Sequence, residues 1–224
     1  MSSFENILAL DTALGGCSAA LVAGERRAVR SEVMARGQAE VLVPFVEEVM
    51  GELGLAYADL GAVVCTVGPG AFTGLRMGLS TARAFGLSLG IPVFGVTTFD
   101  ALAQDFCSRE GKSCSVILET KRKDFYFQHF DKTGLPVSEG AAAEEFEVSA
   151  GNVLIGDGAV RFAGENEGRW DVEEGYGLPD MGFVARLLQE QGSGGRIFMA
   201  EAEPIYLRGA DVSQPKVPLR KLQV

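Results

Sequence analysis

Residues 61–95 set the strongest limit on what this chain can fold into. They hold eight of its 29 glycines, at positions 61, 68, 70, 74, 78, 86, 90 and 95. Ala62-Val63-Val64-Cys65-Thr66-Val67 is an unbroken run between Gly61 and Gly68, as expected of a strand covered on both faces of a parallel sheet. Gly68-Pro69-Gly70-Ala71-Phe72-Thr73-Gly74 then turns the chain. Residues 73–89 read as a helix, and 91–96 return as a strand. A strand, a tight turn, a helix and a second strand form the building unit of an α/β layer.

Two uses of these glycines can be separated. Gly74, Gly78, Ala82 and Gly86 recur every four residues and lay a stripe of small residues along one helix face. A glycine inside a helix costs about 1 kcal/mol relative to alanine, so the stripe implies close approach of something, either the protein's own sheet or a helix of another chain. Gly68, Pro69 and Gly70 lie where a strand ends and a helix begins. There, backbone N–H groups either make a tight turn alone or cradle an anion, with Arg76 one turn further on. No Gly-Lys-Ser/Thr follows, so the turn is not a P-loop. Asp11-Thr12-Ala13, after the apolar run Ile7-Leu8-Ala9-Leu10, offers a carboxylate at a strand end. Such a group either coordinates Mg²⁺ beside a phosphate or bonds its own turn.

The rest of the chain continues the alternation. Residues 7–10, 18–22 and 28–34 read as strands, followed by a helix over Gln38–Leu53. There Val41, Leu42, Phe45, Val46, Val49, Met50 and Leu53 recur at helical spacing opposite Glu40, Glu47, Glu48 and Glu52. Pro44 inside that pattern predicts a kink or a frayed start. In the second half, 115–119, 125–130, 145–148 and 153–155 read as strands, and 159–163 and 182–191 as helical. The expected organisation is two similar α/β subdomains, 1–105 and 106–224, joined around residues 101–107, with the end of the chain free to return to the first.

Composition narrows the function. There are 224 residues, 20 Lys+Arg and 30 Asp+Glu, for a net charge of -10, and 47% are hydrophobic. That is ample for a core. The acidity, shared equally by the two halves, excludes a chain that grips nucleic acid by its own charge. No run reaches the roughly 18 apolar residues of a membrane span, and Met1–Asn6 lacks the basic residues of a signal peptide, so a cytoplasmic protein with reduced thiols is expected. Cys17, Cys65, Cys107 and Cys114 form no Cys-x-x-Cys pair, and His129 is the only histidine. Neither a His/Cys metal site nor a nucleophile–histidine arrangement is supported.

The segments 7–13, 18–21 and 68–78, with Ala82, Gly86-Leu87, Ile91-Pro92, Gly95-Val96-Thr97-Thr98 and, near the far end, Ala202-Glu203-Pro204-Ile205-Tyr206-Leu207-Arg208, resemble the bacterial TsaB family (older name YeaZ). Gly-Pro-Gly-x-Phe-Thr-Gly-x-Arg is the most specific part of the match. The resemblance implies an α/β, actin-like (ASKHA) fold of two ribonuclease-H-like subdomains with mixed sheets. It implies a non-catalytic scaffold in the making of N6-threonylcarbamoyladenosine next to the anticodon of tRNA. The catalytic paralogue TsaD and the ATPase TsaE would be its partners, TsaC would supply the threonylcarbamoyl-adenylate, and tRNA would be met through the complex.

The partner-binding helices of that family correspond here to residues 38–53 and 73–89. The implied interface comprises Val41, Leu42, Phe45, Val49, Gly70, Phe72, Thr73, Gly74, Arg76, Met77, Gly78 and Ala82, a surface that would form a homodimer in the isolated chain. A nucleotide or phosphate would be met by Asp11, Thr12, Gly68 and Gly70. No cofactor is expected on the lone chain, with ATP or ADP reserved for the interface of the complex. Thr98 and Leu102 stand where the catalytic paralogue has a His-x-x-x-His metal pair, so no metal is expected. The family often has His-Ser or His-Thr where Gly37-Gln38 stand, and Asp-Ala-Arg where Glu119-Thr120-Lys121 stand. The competing function is a stand-alone actin-like kinase or hydrolase using Asp11 and the Gly68 turn, with Glu119 or Asp157 as base; no nucleophile–base pair supports a peptidase. A basic tail, with Arg208, Lys216, Arg220 and Lys221, is expected either to be a solvated end or to touch tRNA or the partner.

Overall fold

The computed structural model describes residues 4–208. Three strands open the chain: β1 (Ile7–Asp11), β2 (Gly16–Ala23) and β3 (Arg26–Val33). Helix α1 (Gln38–Leu53) follows, then β4 (Ala62–Thr66), α2 (Phe72–Leu89) and β5 (Val93–Val96). Helix α3 (Thr98–Glu110) leads to β6 (Cys114–Glu119), β7 (Phe125–Phe130), β8 (Ala141–Ala143) and β9 (Val153–Ile155). Helices α4 (Ala159–Glu165) and α5 (Met181–Gln191) and the short β10 (Phe198–Met199) complete the described elements.

Two mixed sheets result, a six-stranded one in the order β10-β5-β4-β1-β2-β3 and a four-stranded one in the order β8-β7-β6-β9. In the first, β1 runs antiparallel to β2 and parallel to β4, with Ala9 opposite both Ala20 and Val64. Its central strands read as continuous apolar runs because both faces are covered. Leu8, Leu10, Val63 and Cys65 point to the side of α1 and α2. Their neighbours Ile7, Ala9, Ala62 and Val64 point to the side of α5, with Met181, Val184, Ala185 and Leu188, the period of two that a strand imposes. Thus α5 and β10, from the second half of the sequence, pack on the first sheet.

Helix α3 lies between the sheets. Phe99, Leu102, Ala103 and Phe106 meet Val116, Leu118 and Phe130 of the second sheet, while Ala101 faces the first. Residues 101–107, expected to join two subdomains, are therefore a helix and part of the core. Its start is written in the sequence: Thr97 Oγ1 accepts from the Asp100 amide (2.8 Å) and bonds the Asp100 carboxylate (2.5 Å), a cap of the Thr-x-x-acid type, and Gly111 closes the helix in the left-handed region.

Two other expectations change. Residues 145–148 form no strand; the third strand of this hairpin system is β8, at Ala141–Ala143. Phe146 is held instead by its ring, stacked on Phe127 (centroids 3.7 Å apart) and Phe162 (4.6 Å), so its apolar character reports packing rather than pairing. Helix α1 is continuous from Gln38, with Pro44 on its exposed face, at the cost of one hydrogen bond to the Glu40 carbonyl.

The small-residue stripe faces the protein's own sheet. A Cβ on Gly74 would overlap the Thr12 carbonyl oxygen, one on Gly78 would lie 2.6 Å from Thr12 Oγ1, and one on Gly86 would run into the Val93 side chain. Ala82 is fully buried in the core. Replacing Gly78 by leucine is therefore expected to lower stability by about 1–3 kcal/mol through overpacking, read as a lower urea midpoint; an unchanged midpoint would show that the helix has room there.

Candidate functional site

Asp11, Thr12, Gly68 and Gly70 converge at the carboxyl ends of β1 and β4, and the geometry there is closed. Asp11 has no solvent exposure. Its Oδ1 accepts from Thr66 Oγ1 (2.6 Å) and from the Ala13 amide (3.1 Å), while Oδ2 is buried without a hydrogen-bond partner among the described residues. Burial pushes the carboxyl upward from its usual range, and the two hydrogen bonds only partly oppose that. Thr12 Oγ1 donates to the Gly74 carbonyl (2.7 Å), and the Ala71 amide to the Ala13 carbonyl (2.7 Å).

The glycine turn is filled from the other side. A Cβ on Gly70 would overlap the Ala13 carbonyl oxygen, and one on Gly68, at φ +110° before a cis peptide to Pro69, would lie 2.7 Å from the Ile205 oxygen. The turn embraces its own backbone where an anion nest needs open space. Thr98 and Leu102 are buried as well, and no group of three or more His, Cys, Asp or Glu side chains suited to a metal occurs among the described residues.

Beside this closed end, a cavity of about 810 Å³ opens between the two sheets. Phe72, Arg76 and Tyr206 form one wall. The Arg76 guanidinium lies 3.7 Å above the Phe72 ring, its Nε points to the Tyr206 hydroxyl (3.5 Å), and the two rings are 5.4 Å apart. Thr120, Lys121, Arg122 and Tyr126 form the other, with Asp157 and Arg208 at the margin. Such a mixture of cations and flat rings suits an anionic ligand with an aromatic part.

The acids there are committed to other groups. Glu119 is paired with Arg161 (2.7 and 3.0 Å), and Asp157 accepts from the Glu119 amide (2.9 Å). Burial raises Asp157 to about 6. Arg208 pairs with Asp124 at 3.1 Å; the remainder of the expected basic tail lies outside the described residues. His129 sits elsewhere, its Nδ1 2.8 Å from Ser115 Oγ, and burial holds Cys17 and Cys65 protonated with pKa values pushed up to about 12. The two-layer alternation did not point to Lys121, Arg122 or Tyr126 as cavity residues; the one available signal was the basic run Lys121-Arg122-Lys123.

The twelve residues of the implied interface divide in two. Leu42, Val49, Gly74, Gly78 and Ala82 are buried against the sheet, and Gly70 packs on Ala13. Val41, Phe45 and Met77 are half-buried, and Phe72, Thr73 and Arg76 are exposed. Val43 and Leu87, 45% and 88% exposed, extend this outward face and were missed because their positions lie off the apolar stripe that helical spacing reveals.

Two mixed sheets that sandwich a helix, with a buried strand-end aspartate and a cleft between the layers, define an actin-like α/β protein. A family model described as TsaD: tRNA N6-adenosine threonylcarbamoyltransferase matches residues 26–150, more than half of the chain. An uncharacterised Mycobacterium bovis protein, Mb3455c, is 38% identical over 160 residues, covering 70% of this chain and 74% of that one. A Mycobacterium leprae protein, ML0378, is 34% identical, and the match spans only 44% of its length. The tRNA threonylcarbamoyladenosine biosynthesis protein TsaB of Escherichia coli is 26% identical over 235 residues, covering 95% of this chain and 98% of that one. A solved Pseudomonas aeruginosa structure, described as an uncharacterised protein similar to peptidase YeaZ, superimposes with a TM-score of 0.80 at 25% identity, over 91% of this chain and all of that one. The chain belongs to the TsaD-type family and, within it, to the TsaB (YeaZ) branch.

The buried carboxyl of Asp11 gives a pH prediction. Its raised folded-state pKa means that the folded form loses stability as pH rises above the ordinary aspartate range. Asp11→Asn keeps an oxygen for Thr66 and Ala13 and removes the charge. The variant is expected to match the parent near pH 4 and to equal or exceed its denaturation midpoint at pH 7.5. A loss of stability that grows with pH would show instead that Asp11 works ionised.

Proposed function

We propose that this chain is a non-catalytic scaffold subunit in the biosynthesis of N6-threonylcarbamoyladenosine beside the tRNA anticodon, working in the cytoplasm with a catalytic TsaD subunit and the ATPase TsaE on the adenylate supplied by TsaC. The observation that carries this reading is the closure at Asp11. The carboxylate that an actin-like ATPase would turn toward Mg²⁺ is bonded to Thr66 and Ala13 and covered by the 70–74 turn. A stand-alone kinase or hydrolase would need that group to reach a hydrated ion. In the scaffold reading the closed end is structural and the outward faces of α1 and α2 do the work.

Those faces present Val43 on one helix and Phe72 and Leu87 on the other, exposed apolar groups that a helical partner surface would cover, with Val41, Phe45 and Met77 half-buried beside them. The same patch would hold a homodimer together when no partner is present. The net charge of -10 suits a subunit that leaves phosphate binding to its partners and meets tRNA only through the complex. Arg76 and Lys121, lining the cleft, support a role in holding ATP or ADP once a partner closes over it.

The test is co-purification of the full chain with the TsaD and TsaE of its own organism. Phe72→Asp and Leu87→Asp, at exposed positions, are expected to weaken TsaD binding about tenfold or more while leaving the circular dichroism spectrum and denaturation midpoint unchanged. Retained pairing in both folded variants would move the interface elsewhere. Turnover of ATP·Mg²⁺ by the lone chain would overturn the non-catalytic reading.

A further inference from the structure

Cys107, in the last turn of α3, and Cys114, the first residue of β6, bring their sulfurs to 3.7 Å across the exposed turn at residues 111–113. Both thiols are free, and Cys107 also bonds the Asp131 carbonyl through its sulfur (3.3 Å). A disulfide requires about 2.05 Å between sulfurs, so the pair is within about 1.7 Å of bonding separation. Cys107 retains 4% exposure and Cys114 none. Cys17 and Cys65 are free thiols buried in the strands of the first sheet.

We propose that Cys107 and Cys114 are a reversible dithiol–disulfide site for small hydroperoxides. The contact between the two sulfurs sets them apart: it lowers the pKa of Cys107, and the same contact, together with burial, raises that of Cys114. Cys107, the one of the two that keeps any solvent exposure, is oxidised first, and Cys114 resolves. The Cys107 thiolate attacks one peroxide oxygen; a sulfur–oxygen bond forms, the oxygen–oxygen bond breaks, and the leaving oxygen departs as water or alcohol after taking a proton. Cys114 then attacks the Cys107 sulfenic sulfur. The sulfur–sulfur bond forms, the sulfur–oxygen bond breaks, and the hydroxide leaves as water with the Cys114 proton. Two electrons pass from the sulfur pair to the peroxide, so dithiol plus hydrogen peroxide gives disulfide plus two waters.

The bond would fasten the C-terminal end of the helix between the sheets to the first strand of the second sheet. Closing so short a loop restricts mainly the unfolded chain, and the oxidised form is expected to melt a few degrees higher than the reduced one.

The reduced full chain is treated with hydrogen peroxide, blocked with iodoacetamide and digested with trypsin. Arg109 and Lys112 lie between the two cysteines, so the expected product is peptide 84–109 cross-linked to 113–121, two hydrogens lighter than the sum and released by dithiothreitol. Cys17 and Cys65 should be alkylated only after unfolding. Cys114→Ser should leave Cys107 as a sulfenic acid trapped by dimedone, and Cys107→Ser should leave no cross-link. Sulfinic acid at Cys107 without a cross-link in the parent chain, a cross-link that forms only in urea, or equal linkage through Cys17 or Cys65 would overturn the proposal.

Discussion

The close seating of the 70–74 turn on residues 12–13 governs how this molecule is assembled. Two hydrogen bonds, Ala71 amide to Ala13 carbonyl and Thr12 hydroxyl to Gly74 carbonyl, and the absence of a Cβ at Gly70 and Gly74 bring the start of α2 onto the end of β1. The same end of the sheet receives the Thr98 amide on the Gly68 carbonyl (2.8 Å) and the Ile205 amide on the Val67 carbonyl (2.7 Å). Chain segments more than 100 residues apart are thereby tied to one corner. Buried backbone groups must find partners, and here several find them in one another, while among the described residues Asp11 Oδ2 and Thr98 Oγ1 stay buried without one.

That closure sets the electrostatics. A carboxyl at the end of a central strand costs free energy to bury unless hydrogen bonds or a cation compensate. Burial raises the pKa of Asp11, and the two donors it receives on one oxygen, with none on the other, oppose that only in part. The unsatisfied oxygen is a cost carried by a corner whose remaining contacts are tightly specified. The basic and aromatic groups were placed a step outward, on Arg76, Lys121, Tyr126 and Tyr206, where solvent and a second protein surface can reach them.

How much of this was legible depends on whether the signal was local. The strands β1, β2, β4 and β5 and the helices α1 and α2 were readable because a covered strand must be apolar throughout and a surface helix must repeat at its own period. Helix α3 was passed over because it is buried on most sides, so its apolar residues show no clear stripe; only the Thr97 cap and Gly111 marked its limits. Phe146 read as part of a strand because an aromatic residue in an extended stretch looks the same whether it pairs or stacks. The wall of the cleft joins Arg76 to Tyr206, 130 positions apart, a proximity that no periodicity encodes. The glycine stripe was ambiguous for a different reason: small residues permit close approach without specifying what approaches.

Resolving that ambiguity separates the two faces of α2. The inner face, Gly74 through Gly86, is committed to Thr12, the core and Val93, and nothing outside the chain can reach it. The outer face carries Phe72, Arg76 and Leu87, all exposed, with Met77 half-buried at its edge against the core. Arg83 adds a third tie, donating to the Ala202 carbonyl (2.5 Å), so the helix is clamped at its beginning by β1 and along its length by the returning chain. A helix held this firmly presents its outer side chains with little conformational freedom left to lose. In the proposed scaffold, that preorganisation would lower the entropic cost of docking, so the inner glycines, packed on the sheet, would serve binding by fixing the helix that carries the outer residues.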